Sequence, residues 1–333
     1  MPLWLSRDDV ARLLPMDEAI AAMEEAYALL AQGEAVQPLR INMATPDGSG
    51  SLLAMPAYLG GSVQRMGTKL VTLFGANPAQ RGLPAIQGCF ALFHGEDGRL
   101  LAVMDAAHLT AMRTGAASGV ATKHLARPDA RVVTLFGAGA QAETQLQAVC
   151  AVRPVERVLV VARRPESAAR FAQRMGQQLG IPVEPVREPV QDVAQAVAAA
   201  DILITATSAH QPLFDGAWLR PGVHINSIGA HTPDARELDD ATIRRATIVT
   251  DLTSACLSET GDLVQPIQAG LLTPEQIHGE IGEIVLGRKP GRTSPEEITL
   301  FKSVGLAVQD VAAGHRVYQR ARAEGVGLEV ALD

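Results

Sequence analysis

Hydrophobic positions follow three patterns along this chain, and each pattern predicts a different kind of structure. In residues 1–35, apolar side chains recur at helical spacing, which predicts two packing helices. From Gln37 to Met104, short apolar runs broken by glycine and proline predict an antiparallel sheet with hairpins. From Arg131 onward, unbroken apolar runs alternate with helix-forming segments, which predicts a mostly parallel, doubly wound α/β sheet.

Glycine, proline and capping residues delimit the predicted elements. Strands of the first region are predicted at Leu39–Ala44, Ser51–Tyr58, Thr68–Leu73, Gly88–His94 and Leu100–Asp105. Strands of the second region are predicted at Val132–Phe136, Arg157–Ala162, Ile181–Val186, Asp201–Ala206, Val223–Ile228 and Thr247–Thr250. Helices are predicted at Leu109–Leu125 and at Glu296–Arg322, the second after a capping signature formed by Ser294 and Glu297. Gly305 would lie inside that second helix at a cost of about 1 kcal/mol, which implies a close approach to a neighbour.

A glycine turn follows the first strand of the second region. Gly137 permits a tight turn, Gly139 lets a pyrophosphate approach the backbone, and Ala142 keeps the following helix close to the strand. The N–H groups at the start of that helix would face the phosphate charge. The alternative is a glycine-rich turn that binds nothing. The correct flanks, a buried strand before and a helix after, favour dinucleotide binding.

The end of the next strand bears on which dinucleotide is bound. Arg163 and Arg164 follow Arg157–Ala162 at the position where an acid would hold a ribose 2′-hydroxyl. Arginine can instead pair with a 2′-phosphate through two hydrogen bonds, which predicts NADPH, with NADH as the alternative coenzyme. Arginines at strand ends are also found simply as solvated charges.

The ligand crevice of a doubly wound sheet lies beyond the carboxyl ends of its strands. Two strand ends therefore supply further candidates for cofactor contacts. These are Thr207 and Ser208 after one strand, and Gly229, Ala230 and His231 after the next.

Three basic residues stand among apolar or small residues: Arg40 in PLRINM, Lys69 in GTKLVTLFG and Arg113 in LTAMRTGAASGVA. Each alone is typical of an exposed cation on an edge strand or helix. Three of them, with no acidic neighbours to pair them, favour an anion site, for which a carboxylate substrate is the natural candidate.

Composition narrows the classes of partner. The chain has 333 residues, of which 47% are hydrophobic and 20% charged, enough for two domains. A net charge of −7 without a basic run argues against nucleic acid and against anionic membranes. Three scattered cysteines show no metal-type spacing, so no metal site is predicted. Without a signal-peptide pattern or a membrane-length apolar run, we expect a cytoplasmic protein.

Four segments, GTKLVTLFG, LTAMRTGAASGVA, LFGAGAQA and EITLFKSVGLAVQD, together resemble the ornithine cyclodeaminase/mu-crystallin family of NAD(P)-dependent proteins. The resemblance spans almost the whole chain, and four long motifs in order are far more specific than the glycine turn alone. It implies a Rossmann domain at 116–304 that binds NAD(P). It also implies an α+β substrate-binding and dimerisation domain, formed by 1–115 and 305–333, and a homodimer.

By motif match, the resemblance implies two sets of site residues. The substrate carboxylate would be held by Arg40, Lys69 and Arg113. The dinucleotide would be held by Gly137, Gly139, Gln141 and Ala142 at the pyrophosphate, and by Ser303, Val304 and Gly305 near the nicotinamide.

Two departures from the family pattern bear on the reaction. Ornithine cyclodeaminases carry a glutamate in the segment matching SLLAMP that contacts the diamine, where this chain has Leu53 or its neighbour Ala54. They also carry an essential aspartate in the loop where this chain has Gly229-Ala-His231. Both acids that would serve a dicationic substrate are missing, which argues against cyclodeamination.

The sequence therefore predicts an NADPH-dependent reductase of a small cyclic imine carboxylate, with Δ1-pyrroline-2-carboxylate giving L-proline as the leading reaction. The protein has chiefly to orient the imine and supply a proton, from Lys69 or His231. His231 is equally compatible with a solvated loop histidine. The alternatives are an amino-acid oxidoreductase of the ornithine cyclodeaminase or alanine dehydrogenase type, and a non-catalytic NADPH-binding protein of mu-crystallin type.

Overall fold

Two eight-stranded sheets organise the chain, one in each of two units. The computed structural model describes residues 1–186 and 190–331. Unit 1 consists of Met1–Arg113 and Leu306–Asp333, and unit 2 of Thr114–Gly305. The assignment of substrate binding and dimerisation to one unit, and of NAD(P) binding to the other, stays a prediction.

The elements follow in chain order. Up to residue 125 they are β1 (Leu3–Leu5), α1 (Arg7–Leu13), α2 (Met16–Gln32), β2 (Ala35–Val36), β3 (Ile41–Ala44), β4 (Ser51–Leu59), β5 (Arg65–Leu73), α3 (Asn77–Gln80), β6 (Ile86–His94), β7 (Leu100–Asp105) and α4 (Ala106–Leu125). Beyond residue 125 they are β8 (Val132–Phe136), α5 (Ala140–Val152), β9 (Arg157–Val161), α6 (Pro165–Leu179), β10 (Val183–Pro185), α7 (Val190–Ala199), β11 (Ile202–Thr205), β12 (His224–Ser227), α8 (Asp240–Arg245), β13 (Ala246–Thr250), α9 (Thr253–Glu259), α10 (Gly261–Gln268), β14 (Gly279–Glu280), α11 (Ile281–Val285), β15 (Ile298–Lys302), α12 (Ala307–Glu324) and β16 (Leu328–Glu329).

The sheet of unit 1 has the strand order β16-β1-β7-β6-β5-β4-β2, with β3 paired to β4. Its pairs are antiparallel except β1 with β7, which are parallel. Helix α12 packs against β4, β5 and β6, and α2 packs against α12. Because side chains alternate along a strand, Met55, Lys69 and Phe90 are buried on the helix side, whereas Met66 and Leu70 on the other face are exposed.

The sheet of unit 2 has the order β10-β9-β8-β11-β12-β15-β13-β14, and all its pairs are parallel. Its central strands are buried on both faces, which explains their unbroken apolar runs. The predicted doubly wound α/β fold is confirmed.

The predicted helix at Glu296–Arg322 is wrong at its first half. Ile298–Lys302 forms the fully buried strand β15 between β12 and β13, and the helix starts only at Ala307. Gly305 lies in the connection with a φ of +79°, a backbone conformation that favours glycine. The side chain of Ser294 does accept a hydrogen bond from the Glu297 backbone N–H, but no helix follows it. The capping signature therefore marks a turn here.

Some features are absent from the part of the chain that the structure describes. Across residues 1–186 and 190–331, no helix is long and apolar enough to cross a membrane. The same residues contain no group of three or more histidine, cysteine, aspartate or glutamate side chains placed to hold a metal ion. All three cysteines are free thiols.

Candidate active site

A buried cluster of charges in unit 1 joins two of the three basic residues named from the sequence. Lys69 on β5 and Arg113 on α4 are both buried, and Asp310 on α12 lies between them. The Nζ atom of Lys69 is 2.9 Å from Oδ2 of Asp310, and Nε of Arg113 is 3.1 Å from Oδ1. The expectation that no acid pairs these cations is therefore wrong. The acid is remote in sequence and reaches the cluster through the packing of α12 on the sheet.

Asp310 and its neighbour Gln309 lie in the first turn of α12, where the helix dipole favours a negative charge. Arg113 donates a second hydrogen bond, from Nη1 to Oε1 of Gln309, at 2.7 Å. The amide of Gln309 in turn donates to the hydroxyl of the fully buried Tyr27. These contacts hold the Arg113 guanidinium in one orientation.

The pKa of Lys69 is lowered from 10.5 to about 8, first because burial disfavours the charged form and second because Arg113 is close by. The carboxylate of Asp310 opposes this shift, and the positive charge of Arg40 adds to it. Lys69 is therefore an ammonium ion at neutral pH with an acidity suited to proton donation.

Arg40 is half-exposed and precedes β3. The structure thus brings Lys69 and Arg113 together through a shared carboxylate, and places Arg40 near enough for its charge to act on Lys69. Two buried cations and one buried carboxylate leave a single positive charge, which one carboxylate ligand would balance.

The two positions that the family resemblance matches to the cyclodeaminase glutamate, Leu53 and Ala54, lie on opposite faces of β4. Leu53 lies two residues before Met55 on β4, so both side chains are on the same face of the sheet. Met55 pairs with Lys69, and this is the face covered by α12. Ala54 points to the other face. Of the two positions, Leu53 is therefore the one on the face that carries Lys69, and its side chain has no charge.

The glycine turn of unit 2 has the geometry that a dinucleotide needs. Gly137 has a φ of +115°, and a Cβ there would lie 2.4 Å from the Ala206 carbonyl oxygen. A Cβ at Gly139 would meet nothing within 4 Å, so the space above that residue is open to a ligand. Ala142 is fully buried in α5, and the buried side-chain oxygen of Gln141 has no partner among the described residues. The turn fits a pyrophosphate at the start of α5.

Arg163 and Arg164 follow β9 and are exposed, with Arg164 at the N-terminal boundary of α6. Neither forms an ion pair with any residue in 1–186 or 190–331. Both guanidinium groups are accessible to an anion from solvent.

The loops after β11 and β12 lie side by side, because these strands are neighbours in the sheet. Thr207 in the first loop and Gly229 in the second are half-buried, whereas Ser208 is exposed. The exposed His231 has its Nδ1 atom 2.8 Å from the Gly229 carbonyl oxygen. Because a carbonyl oxygen can only accept a hydrogen bond, Nδ1 is the ring nitrogen that carries the hydrogen in the neutral imidazole.

Residues Ser303, Val304 and Gly305 follow the end of β15 and are all buried. One oxygen of Asp251 accepts hydrogen bonds from the Ser303 hydroxyl and from the backbone N–H groups of the other two, at 2.7 to 3.0 Å. The Asp251 carboxylate therefore fixes this loop.

Sequence reasoning missed the carboxylates that organise both units. They are Asp310 in unit 1, and Glu237, Asp251 and Asp262 in unit 2, all buried. A signal existed for Asp310, which ends the quoted motif EITLFKSVGLAVQD: buried cations require an acid somewhere, and this motif contains one close to apolar residues.

Comparison with known proteins identifies the family of this chain. The profile of the ornithine cyclodeaminase/mu-crystallin family matches residues 2–325. A Δ1-pyrroline-2-carboxylate reductase from Bacillus cereus is 37% identical over 326 residues, 98% of this chain and 98% of the relative. The solved structure of the Thermococcus litoralis Δ1-pyrroline-2-carboxylate reductase, in complex with NADH and L-proline, is 43% identical with a TM-score of 0.93, covering 98% of this chain and 100% of that one. An archaeal alanine dehydrogenase dimer with bound NAD is 36% identical with a TM-score of 0.92, covering 100% and 99%. The chain belongs to the ornithine cyclodeaminase/mu-crystallin family.

Proposed function

We propose that this protein reduces Δ1-pyrroline-2-carboxylate to L-proline with NAD(P)H. The observation that carries the proposal is the buried Lys69 ammonium, held by Asp310 beside Arg113. This arrangement offers charge for one carboxylate and a proton donor of suitable acidity in the same place. The relatives named as Δ1-pyrroline-2-carboxylate reductases support the choice of substrate.

The reaction needs a hydride at the imine carbon and a proton at nitrogen. Bound NAD(P)H supplies the hydride, and the electrons of the carbon–nitrogen double bond become the new nitrogen–hydrogen bond. Arg113 and Arg40 orient the substrate carboxylate, while Lys69 holds the carboxylate or donates the proton to nitrogen. His231 is the second candidate for the proton donor, directly or through water.

NADPH is proposed as the preferred coenzyme, with NADH accepted. The basis is the exposed pair Arg163 and Arg164 after β9, where an acid would favour NADH. A 2′-phosphate can form charge-assisted hydrogen bonds with a guanidinium group. Solved relatives hold NADH or NAD, which supports the nicotinamide coenzyme without choosing between the two phosphorylation states.

Ornithine cyclodeamination is disfavoured by the chemistry of two positions. A diamine substrate carries two ammonium groups, and acidic side chains would stabilise them. Leu53, on the face of Lys69, offers no charge, and His231 offers a neutral or positive imidazole. A cyclic imine carboxylate has a single ionised acid and makes no demand for these missing carboxylates.

A homodimer is proposed, formed through the sheet face of unit 1 that carries no helix. A row of apolar side chains crosses this face from Val36 through Tyr58 and Met66 to Phe93, which pair across successive strands. These residues line a groove of about 350 Å³, and Ile41 and Met43 beside it are more than half exposed. Exposed apolar surface of this extent is typical of a subunit interface. The archaeal alanine dehydrogenase dimer supports a dimeric state, and the choice of this sheet face as the interface rests on its exposed apolar side chains.

The test is consumption of NADPH with Δ1-pyrroline-2-carboxylate and its six-membered homologue, followed by the absorbance of the reduced nicotinamide. Ornithine with ammonia detection and alanine with NAD⁺ serve as competing substrates. We expect fast oxidation of NADPH with a cyclic imine and weak activity with the other two. Tight NADPH binding without turnover of any cyclic imine would instead favour a non-catalytic binding protein.

A further inference from the structure

The strand order of unit 2 divides the sheet into two halves. The glycine turn after β8 and Arg163 after β9 lie in the half formed by β8, β9 and β10. In a doubly wound fold, this first half takes the adenosine end of the dinucleotide and the second half takes the other nucleotide. The loops after β11 and β12 therefore belong to the nicotinamide end.

One buried carboxylate connects these two loops. Oε1 of Glu237 accepts hydrogen bonds from the backbone N–H of Thr207 at 2.8 Å and from its hydroxyl at 2.6 Å. Oε2 accepts from the backbone N–H of Gly229 at 2.8 Å. Glu237 is completely buried, so both loops are tied to one side chain that cannot exchange these bonds for water.

The backbone of Glu237 is itself held by a second carboxylate. Oδ1 of Asp262 accepts from the N–H groups of Glu237 and Leu238, at 2.7 and 3.0 Å. Oδ2 of Asp262 lies 2.8 Å from Nζ of Lys302, and both of these side chains are fully buried. Lys302 ends β15, so three neighbouring strand ends are fixed relative to one another.

Gly229, in the loop after β12, lies tightly packed against Glu237 and against the loop after β11. A Cβ on Gly229 would lie 2.4 Å from Oε1 of Glu237 and 2.3 Å from the Thr207 carbonyl oxygen. The two loops are thus in direct contact around the carboxylate. Since its oxygens are occupied by three donors, Glu237 serves these loops rather than exchanging protons with a substrate.

We propose that Glu237 is a positioning residue that shapes the binding site for the nicotinamide half of the coenzyme, by holding the loops at Thr207 and Gly229 together. This inference rests on the proposed function, which places NAD(P)H in the crevice of unit 2. It goes further because it concerns only one half of the coenzyme. Glu237 affects the binding of the nicotinamide nucleotide and leaves the binding of the adenosine half unchanged.

Glu237→Gln tests this division because it keeps size and shape but replaces one acceptor oxygen with an NH₂ donor. That donor must face either the Thr207 or the Gly229 N–H, so one loop loses its partner. We expect the dissociation constant of NADPH, measured by calorimetry, to rise about 10- to 100-fold, as for a lost hydrogen bond to a charged group. The dissociation constant of 2′,5′-ADP, which lacks the nicotinamide nucleotide, should stay within about twofold.

Glu296→Gln is the matched control, since Glu296 is exposed in the turn before β15 and should leave both constants unchanged. Glu237→Asp is the second variant: it retains the charge but is one methylene too short to reach both loops. Its dissociation constant for NADPH should also rise, while that for 2′,5′-ADP should stay unchanged. This variant keeps the inference testable if Glu237→Gln fails to fold.

A general disturbance of unit 2 would weaken the binding of NADPH and of 2′,5′-ADP equally, and that result would overturn the inference. Unchanged affinity for NADPH in both variants would also overturn it. If the wild type binds NADPH but neither variant weakens NADPH binding more than 2′,5′-ADP binding, the role of Glu237 is refuted and the proposed function is not affected. Wild-type protein that binds neither NADPH nor NADH would refute the proposed function and this inference together.

Discussion

Asp310 shares its two carboxylate oxygens between Lys69 and Arg113, at 2.9 and 3.1 Å. Without this acid, two buried cations would face each other with no compensating charge, at a cost of several kcal/mol. The acid also raises the pKa of Lys69 against the lowering by burial and by Arg113. Asp310 therefore decides whether Lys69 is a proton donor at neutral pH.

The first prediction concerns the pH dependence of imine reduction. Lys69 must be protonated to act, so kcat/KM for Δ1-pyrroline-2-carboxylate should fall as pH rises through the Lys69 pKa of about 8. Asp310→Asn removes the contribution that raises this pKa, so the fall should move to lower pH by about 1–3 units. Comparing the two profiles cancels the titration of the substrate itself.

Glu324→Gln provides the control for Asp310→Asn, because it makes the same chemical change at the other end of α12. Its profile should coincide with that of the wild type. An Asp310→Asn enzyme with reduced activity but an unmoved alkaline limb would contradict the assignment of Lys69 as the acid.

The second prediction concerns carboxylate binding by Arg113. Arg113→Met removes a buried cation and should cost about 2–5 kcal/mol of transition-state stabilisation, measured as the loss of kcat/KM. Calorimetry should show nearly unchanged NADPH binding. Arg99→Met, at an exposed position, is the matched control. Equal reaction of a cyclic imine that lacks the carboxylate would rule out this role.

Local patterns predicted the parts of the fold in which neighbouring residues determine the structure. The two helices predicted for residues 1–35 are α1, which begins at the capping box of Ser6 and Asp9, and α2, which ends at Gly33 with a φ of +80°. The turn at Gly137 was predictable because a buried strand and a helix flank it directly. In each case a few consecutive residues carry the whole physical signal.

The missed features depend on contacts between distant parts of the chain. Ile298–Lys302 contains β-branched and aromatic residues, but the capping signature before it and the helical pattern after it suggested one long helix. Its place between β12 and β13 comes from pairing with strands far away in sequence. Asp310 likewise reaches Arg113 across 197 positions, a contact that no local pattern encodes.

The third prediction concerns the choice of coenzyme. Arg163→Asp replaces a cation with an anion where the 2′-phosphate is proposed to bind, so the KM for NADPH should rise much more than that for NADH. Arg170→Asp on the exposed side of α6 makes the same change of charge away from the proposed site. An unchanged ratio of the two KM values in Arg163→Asp would remove the basis for preferring NADPH.

The fourth prediction concerns the homodimer. Leu70 lies on the face of the unit 1 sheet that carries no helix, with 38% of its surface exposed. Leu70→Glu would place a charge inside an apolar interface, so light scattering should show a shift from dimer to monomer. Val190→Glu, which also replaces an exposed apolar residue by glutamate but in unit 2, should leave the molar mass of the dimer unchanged. A wild-type protein that is already monomeric at micromolar concentration would refute the dimer.

The fifth prediction separates imine reduction from ornithine cyclodeamination. The wild type should consume NADPH rapidly with Δ1-pyrroline-2-carboxylate or its six-membered homologue and release little or no ammonia from ornithine. Cyclodeamination first oxidises an amine, so a base must take a proton from one ammonium group while an acid stabilises the other. Ammonia release at a rate equal to imine reduction would show that Leu53 and His231 do not decide the reaction.

Substitutions that introduce carboxylates at His231 and Leu53 test whether these two positions decide between imine reduction and cyclodeamination. His231→Asp supplies one missing carboxylate and should depress imine reduction, because an anion repels the carboxylate substrate. It should not restore full cyclodeamination, since Leu53 still leaves the distal ammonium unpaired. Adding Leu53→Glu places a second carboxylate on the sheet face that carries Lys69, and ammonia release from ornithine should then exceed that of either single variant. Equal ammonia release by His231→Asp and by the double variant would mean that position 53 does not contact the substrate.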